Sequence, residues 1–164
     1  HKLWLARLYP AYKSNTVIIS NGFATMGISL PGCIAAKLVY PDRNIVAVCG
    51  DGSFLMNSQE LETAKRLGLA FVVIIFHDDK FGMIEWKQMN RFGHSYGMDF
   101  GNPDLVKYAE SFGCVGIRIK KTADLLPTLK KAINVKNVVI IDVPVDYTEN
   151  FELTSRLGKL VCPL

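Results

Sequence analysis

The sequence predicts a parallel α/β sandwich, a sheet with helices on both faces. Three observations lead there. Asn44 to Cys49, Phe71 to Phe76 and Val138 to Val143 are short β-branched runs without alternation, the pattern of strands covered on both sides. Segments between them carry one apolar stripe and one charged face, as helices lying on a sheet require. Strand and helix then alternate, the order that builds parallel sheets through helical crossovers.

His1 to Pro10 reads as a helix or surface arm that packs on something else. Thr16 to Ser20 is expected to be a short strand, closed by the turn signal Asn21-Gly22. Ala24 to Tyr40 reads as a mostly apolar helix whose small residues allow close packing, with Pro31 tolerable near its start. The central strand, Asn44 to Cys49, runs into Gly50-Asp51-Gly52-Ser53. Ser53 to Leu67 follows as one helix, with Phe54, Leu61, Ala64 and Leu67 on its stripe.

The second strand, Phe71 to Phe76, ends in His77-Asp78-Asp79-Lys80-Phe81-Gly82. From Met83 to about Gly101 the pattern is mixed, a short helix and a long loop, and such loops in compact domains are more often functional than idle. Pro103 to Gly113 is a short helix with proline in its first turn and glycine at its end. Val115 to Ile119 is a strand, Thr122 to Ile133 a helix with Thr122 as its cap, and Val138 to Val143 the last strand. No internal repeat is visible.

Composition sets the bounds. The 164 residues are one domain's worth, and 49% apolar with 21% charged is an ordinary globular balance. The net charge of +4 is dispersed, its tightest groups being the pairs Lys65-Arg66, Lys120-Lys121 and Lys130-Lys131. Solvated helix faces explain these, so no nucleic-acid surface is expected. Cys33, Cys49, Cys114 and Cys162 lie far apart in apolar surroundings without metal spacing, which favours buried free thiols in a reducing, cytoplasmic setting. No run is long enough for a membrane span and no signal peptide is recognisable. The opening lacks Met, so residues 1–15 are taken as an arm or linker, 16–148 as the domain and 149–164 as a tail, in a fragment of a longer protein.

Chemistry concentrates where the central strand ends. Gly50 and Gly52 let backbone approach an anion, and N–H groups opening a helix suit a phosphate. Asp51 in the same place makes sense if a divalent cation lies between carboxylate and phosphate oxygens. Asp78 comes twenty-seven residues later, at the end of the next strand. Neighbouring parallel strands would bring both carboxylates to one sheet edge, able to share a cation. Solvated loop acids are the plain alternative for Asp78 and Asp79. A receiver-type phosphorylation site fits less well, because the glycines imply a phosphate-containing ligand.

Gly50-Asp51-Gly52-Ser53 followed by Asp78 resembles the signature of thiamine diphosphate enzymes. Asn21-Gly22-Phe23-Ala24-Thr25-Met26-Gly27-Ile28-Ser29-Leu30-Pro31 is similar to the loop that receives the aminopyrimidine ring in the acetolactate synthases. Asp99-Phe100-Gly101-Asn102, Tyr108 to Gly113 and Ile141 to Tyr147 resemble the same family's C-terminal third. The family's usual downstream pair is Asn-Asn. Here it is His77-Asp78, which matches acetolactate synthases of the catabolic kind, where Asp is found.

The resemblance implies a diphosphate-binding domain with a six-stranded parallel sheet in three α/β/α layers. It implies Mg²⁺ held by Asp51, Asp78 and the Lys80 carbonyl, and thiamine diphosphate held by Gly50, Gly52, Ser53, Phe81, Gly82 and Met83. Met26 would support the bent cofactor, with the Ala24 carbonyl accepting from its amino group. Trp86 and Lys87 would border a substrate pocket. His77 reads as structural, Glu60 and Glu62 as a solvated face or subunit contact, and His94 has no assigned role. The implied reaction converts two pyruvates to 2-acetolactate and CO₂. Another 2-keto-acid decarboxylase or carboligase, or a non-catalytic cofactor-binding or assembly module, are the alternatives. The implied partners are a 2-keto acid and a pyrimidine domain of the same or a neighbouring subunit, in a homodimer or homotetramer. Whether FAD is needed depends on a domain outside this sequence.

Overall fold

The computed structural model describes residues 1–150. In chain order the elements are α1 (Lys2–Leu8), α2 (Ser29–Val39), β1 (Val46–Gly50), α3 (Asp51–Leu55), α4 (Glu60–Arg66) and β2 (Val72–His77). Then come α5 (Gly82–Phe92), α6 (Leu105–Ser111), β3 (Val115–Arg118), α7 (Thr122–Ala132) and β4 (Val139–Pro144). The sheet is wholly parallel, ordered β1-β2-β4-β3.

Side chains alternate across a strand, so each strand feeds two cores. On one face Cys49, Val73, Ile75 and Ile140 pack with Leu30, Phe54, Leu61 and Leu105 from α2, α3, α4 and α6. On the other, Val72, Ile74, Val139 and Ile141 pack with Leu125, Leu129 and Ala132 of α7. The three layers read from the sequence are present. Leu61 is fully buried, and truncating it to alanine should cost about 2–5 kcal/mol.

The sheet has four strands among the described residues, not six. Residues 16–20 form no strand: Val17 and Ile18 are exposed, and β-branched composition does not make a strand without an edge to pair with. The helix expected from Ala24 begins at Ser29, because Ala24 and Gly27 both take positive φ. The single helix expected over 53–67 is broken between α3 and α4. There Asn57 spends its side chain on the Gly27 carbonyl, and Ser58 pairs with Tyr108, competing with helical continuation.

The mixed segment from Met83 to about Gly101 holds an eleven-residue helix, α5, closed by left-handed Gly93, and then a loop, as expected. α6 starts two residues beyond Pro103 and is capped by Asp104, whose carboxylate accepts from the N–H groups of Val106 and Lys107. In α7 the cap position is Lys121 and Thr122 is the first helical residue. α1 matches the expected N-terminal helix or arm, tied by the Trp4 indole N–H to the Asn150 side chain. Cys33, Cys49 and Cys114 are buried free thiols; Cys162 and residues 151–164 of the expected tail lie outside the described residues.

Candidate functional site

The register of β1 on β2 pairs Gly50 with Phe76. Asp51 and His77 therefore leave the sheet side by side, with Asp78 and Asp79 following at the same edge. Asp51 is buried. Its Oδ2 accepts from the N–H groups of Asp78 at 3.2 Å and Asp79 at 2.9 Å, and from Asn102 Nδ2 at 2.7 Å. Among the described residues its Oδ1 accepts only the N–H of Gly52, at 2.8 Å. These donors make a buried carboxylate tolerable, and they leave acceptor capacity on Oδ1. Asp79 aims the two backbone donors by taking a left-handed φ of +57°.

Asp78 lies over the start of α5, where a Cβ on Gly82 would come within 3.1 Å of its Oδ2. Burial and the neighbouring Asp51 push its pKa up to about 6, against an opposing hydrogen bond from the Lys80 N–H. Lys80 pairs its ammonium with Glu85 at 2.9 Å and Asp99 at 3.3 Å, while its carbonyl accepts no hydrogen bond among the described residues. The Gly82 and Met83 N–H groups open the longer α5 as first-turn donors without intrahelical partners.

Other expected ligands are already engaged. The Phe81 N–H donates to the Met98 carbonyl, where residues 80 and 99 form an antiparallel bridge. The open sides of Gly50 and Gly52 face protein: a Cβ on either would lie 2.8 Å from the His1 ring or the Phe81 ring respectively. Ser53 Oγ accepts from the Gly27 N–H at 2.9 Å, holding the segment that carries Ala24 and Met26 beside α3. Met26 is partly exposed, Trp86 half-buried and Lys87 exposed on α5, a helix with no fully buried residue. Glu62 pairs with Arg66, Glu60 accepts from Thr63, and His94 bonds to the Phe92 carbonyl.

Several participants escaped the sequence reading. Asp142 in β4 is fully buried between Arg118 Nε at 2.7 Å and His77 Nδ1 at 2.9 Å. Its signal was a lone acid inside an apolar strand. His77 also meets Asp79 at 3.4 Å; burial lowers its pKa, but Asp142 and Asp79 together hold it above the usual value. His1 stacks on Phe76 against Gly50, and the Tyr147 hydroxyl is buried without a partner among the described residues. Only the folded chain brings these residues to the site.

One ligand atom each from Asp51, His77 and Asp79 lies within 4.8 Å of the others, a different trio from Asp51, Asp78 and the Lys80 carbonyl. Both His77 nitrogens have partners within the protein, so its imidazole is committed. The oxygens with spare capacity form an all-oxygen donor set, and that set fits a hard divalent cation such as Mg²⁺. The donors opening α5 beside them fit a phosphate. No helix among the described residues is long and apolar enough to cross a membrane.

Residues 1–143 match the family described as thiamine pyrophosphate enzyme, C-terminal TPP binding domain; thiamine pyrophosphate is thiamine diphosphate. The chain is 43% identical to the acetolactate synthase of Bacillus subtilis (strain 168) over 94% of its own length and 27% of the relative's. It is 39% identical to the catabolic acetolactate synthase of Raoultella terrigena over 94% of its length and 28% of the relative's. The acetolactate synthase large subunit of Haemophilus influenzae is 37% identical over 98% of this chain and 29% of that subunit. The chain thus spans about a quarter of the length of these relatives. It belongs to the thiamine pyrophosphate enzymes, as a C-terminal domain that binds the cofactor.

Proposed function

We propose that this domain carries the magnesium and diphosphate half of an acetolactate synthase of the catabolic kind, acting on pyruvate in the cytoplasm. The observation that carries this is the meeting of Asp51 and Asp78 at one sheet edge beside the N-terminus of α5. In this reading Asp51 Oδ1, the Asp78 carboxylate and the Lys80 carbonyl hold Mg²⁺. The N–H groups of Gly82 and Met83, with the Ser53 hydroxyl, hold diphosphate oxygens. The Ser53 oxygen accepts from Gly27, which leaves its proton free to donate.

When bound, thiamine diphosphate supplies the electron sink for decarboxylating a 2-keto acid. This chain's residues supply position and charge. Ala24 and Met26 meet the aminopyrimidine end, and Trp86 and Lys87 border the pocket for the keto acid. A pyrimidine domain completes the site in a homodimer or homotetramer. Support comes from the donor geometry and from the names of the similar proteins.

The test is to incubate the complete protein with Mg²⁺, thiamine diphosphate and pyruvate. Acetolactate is the expected product, and it should be lost in Asp51→Ala together with calorimetric cofactor binding. Acetaldehyde as the main product would assign a decarboxylase instead. Cofactor binding without pyruvate consumption would assign a non-catalytic module.

A further inference from the structure

The metal reading requires Asp51 to present one oxygen to a cation, and the role of Asn102 rests on that reading. The Asn102 side chain, which fixes the other Asp51 oxygen, comes from 51 residues further along the chain. Asn102 Nδ2 donates to Asp51 Oδ2 at 2.7 Å and to Asp79 Oδ1 at 2.6 Å, so one amide bridges two carboxylates with both its hydrogens. The amide has only one workable orientation, because turning it over would set its oxygen against two anions. In that orientation the Asn102 Oδ1 is buried and without a partner among the described residues. A buried acceptor is costly to strand, so the donor half dictates the placement.

The backbone is held on both sides of this residue. The Phe100 N–H is tied to the Asp79 carbonyl at 3.0 Å, and Asp104 caps α6 two residues after Asn102. We propose that Asn102 is the positioning residue of the metal site. It locks Asp51 through Oδ2, leaves Oδ1 for the cation, and occupies the Asp79 carboxylate so that it does not compete. Without Asn102, the N–H groups of residues 78 and 79 still hold Oδ2, so the loss should be partial, on the scale seen when groups that orient metal ligands are removed.

The test measures Mn²⁺ affinity of the complete protein by electron paramagnetic resonance, with saturating thiamine diphosphate and well below each variant's melting temperature. Asn102→Ala should weaken Mn²⁺ binding about tenfold. Asn102→Gln, which keeps the amide on a longer arm, should recover part of that loss, and Asp51→Ala should abolish binding. Excess Mg²⁺ should return Asn102→Ala to nearly wild-type kcat, so that metal requirement moves and turnover does not. If Asn102→Ala does not fold, Asn102→Gln carries the test with a severalfold loss expected. Wild-type affinity in the folded Asn102 variants, with Asp51→Ala inactive in binding, overturns the positioning role and leaves the metal reading standing. Wild-type affinity in Asp51→Ala overturns the metal reading and this inference with it.

Discussion

The hydroxyl oxygen of Ser53 accepts the backbone N–H of Gly27 at 2.9 Å, and Asn57 Nδ2 donates to the carbonyl of that same glycine at 3.1 Å. Both polar groups of one residue are thereby anchored to α3 and to the break that follows it. Gly27 has φ +89° and packs against Asn57, so neither the conformation nor the space admits a side chain. Ser53→Ala should destabilise the protein by about 1 kcal/mol, the net worth of one such bond. Gly27→Ala should cost more, about 2 kcal/mol, from strain and displacement of Asn57. Urea unfolding of the two variants checks the order; midpoints equal to wild type would show that the anchor contributes nothing.

Ala24 is the converse case. It is a non-glycine residue at φ +51°, where an L side chain costs roughly 1–2 kcal/mol. Glycine would relieve that strain and add back roughly 0.5–1 kcal/mol of unfolded-chain entropy. The balance favours Ala24→Gly by about 0.5 kcal/mol, readable as a small rise in melting temperature.

The contrast between Ala24 and Asp51 shows what a sequence discloses. Strands β1, β2 and β4 were legible because unbroken β-branched runs have few other uses, and neighbouring strand ends then put Asp51 and Asp78 together. Residues 16–20 carry the same composition but find no edge, and no local pattern distinguishes them. Positive φ at Ala24 and Asp79 is invisible in residue type, which is why the start of α2 and the turn that cradles Asp51 were missed. Asn102 and His1 reach the site through tertiary contacts with distant residues, for which periodicity offers no signal.

Arg118 and His77 share one buried carboxylate. Asp142 is fully buried, and the Arg118 guanidinium pairs with it at 2.7 Å. Breaking a buried pair from one side typically costs about 3–5 kcal/mol. Arg118 is partly exposed and His77 remains as a second partner, so Arg118→Met should cost nearer 2 kcal/mol. The companion variant Arg118→Met with Asp142→Asn should recover part of this in a double-mutant cycle. Additive losses would mean that the two side chains do not stabilise each other.

Asp78 gives the pH dependence of the metal-free protein. Its pKa rises from 3.8 to about 6, so between those values the folded chain binds the proton more tightly than the unfolded one. Stability should therefore fall as pH rises through that window and stay lower above it. Asp78→Asn removes the penalty. At pH 7 the metal-free variant should be more stable than wild type by about 1 kcal/mol, a figure reduced for partial exposure, and the two should converge near pH 4. Denaturation curves at both pH values decide it; an equal gap at both would assign the difference to something other than ionisation.

The 164-residue chain by itself should bind cofactor weakly and form no acetolactate. The resemblance to thiamine diphosphate enzymes places the glutamate that engages the aminopyrimidine in a separate pyrimidine domain. General acid–base assistance of that kind contributes on the order of 10²–10⁴-fold. Glu85 beside the site is paired with Lys80, and Glu60 and Glu62 cannot replace that glutamate either. Glu60 is held by Thr63 and Glu62 by Arg66, both on α4 beyond the break after α3. The segment proposed for the aminopyrimidine end is open to solvent: Phe23 is fully exposed, and Ile18 just before the segment is 84% exposed. Isolated exposed apolar residues are ordinary, but Phe23, Met26 and Ile28 in one stretch amount to a surface that a partner domain would cover. Adding the remainder of the protein in trans should raise cofactor affinity and restore turnover. Acetolactate formed by the purified 164-residue chain with only Mg²⁺, thiamine diphosphate and pyruvate would show that the catalytic groups are all within it.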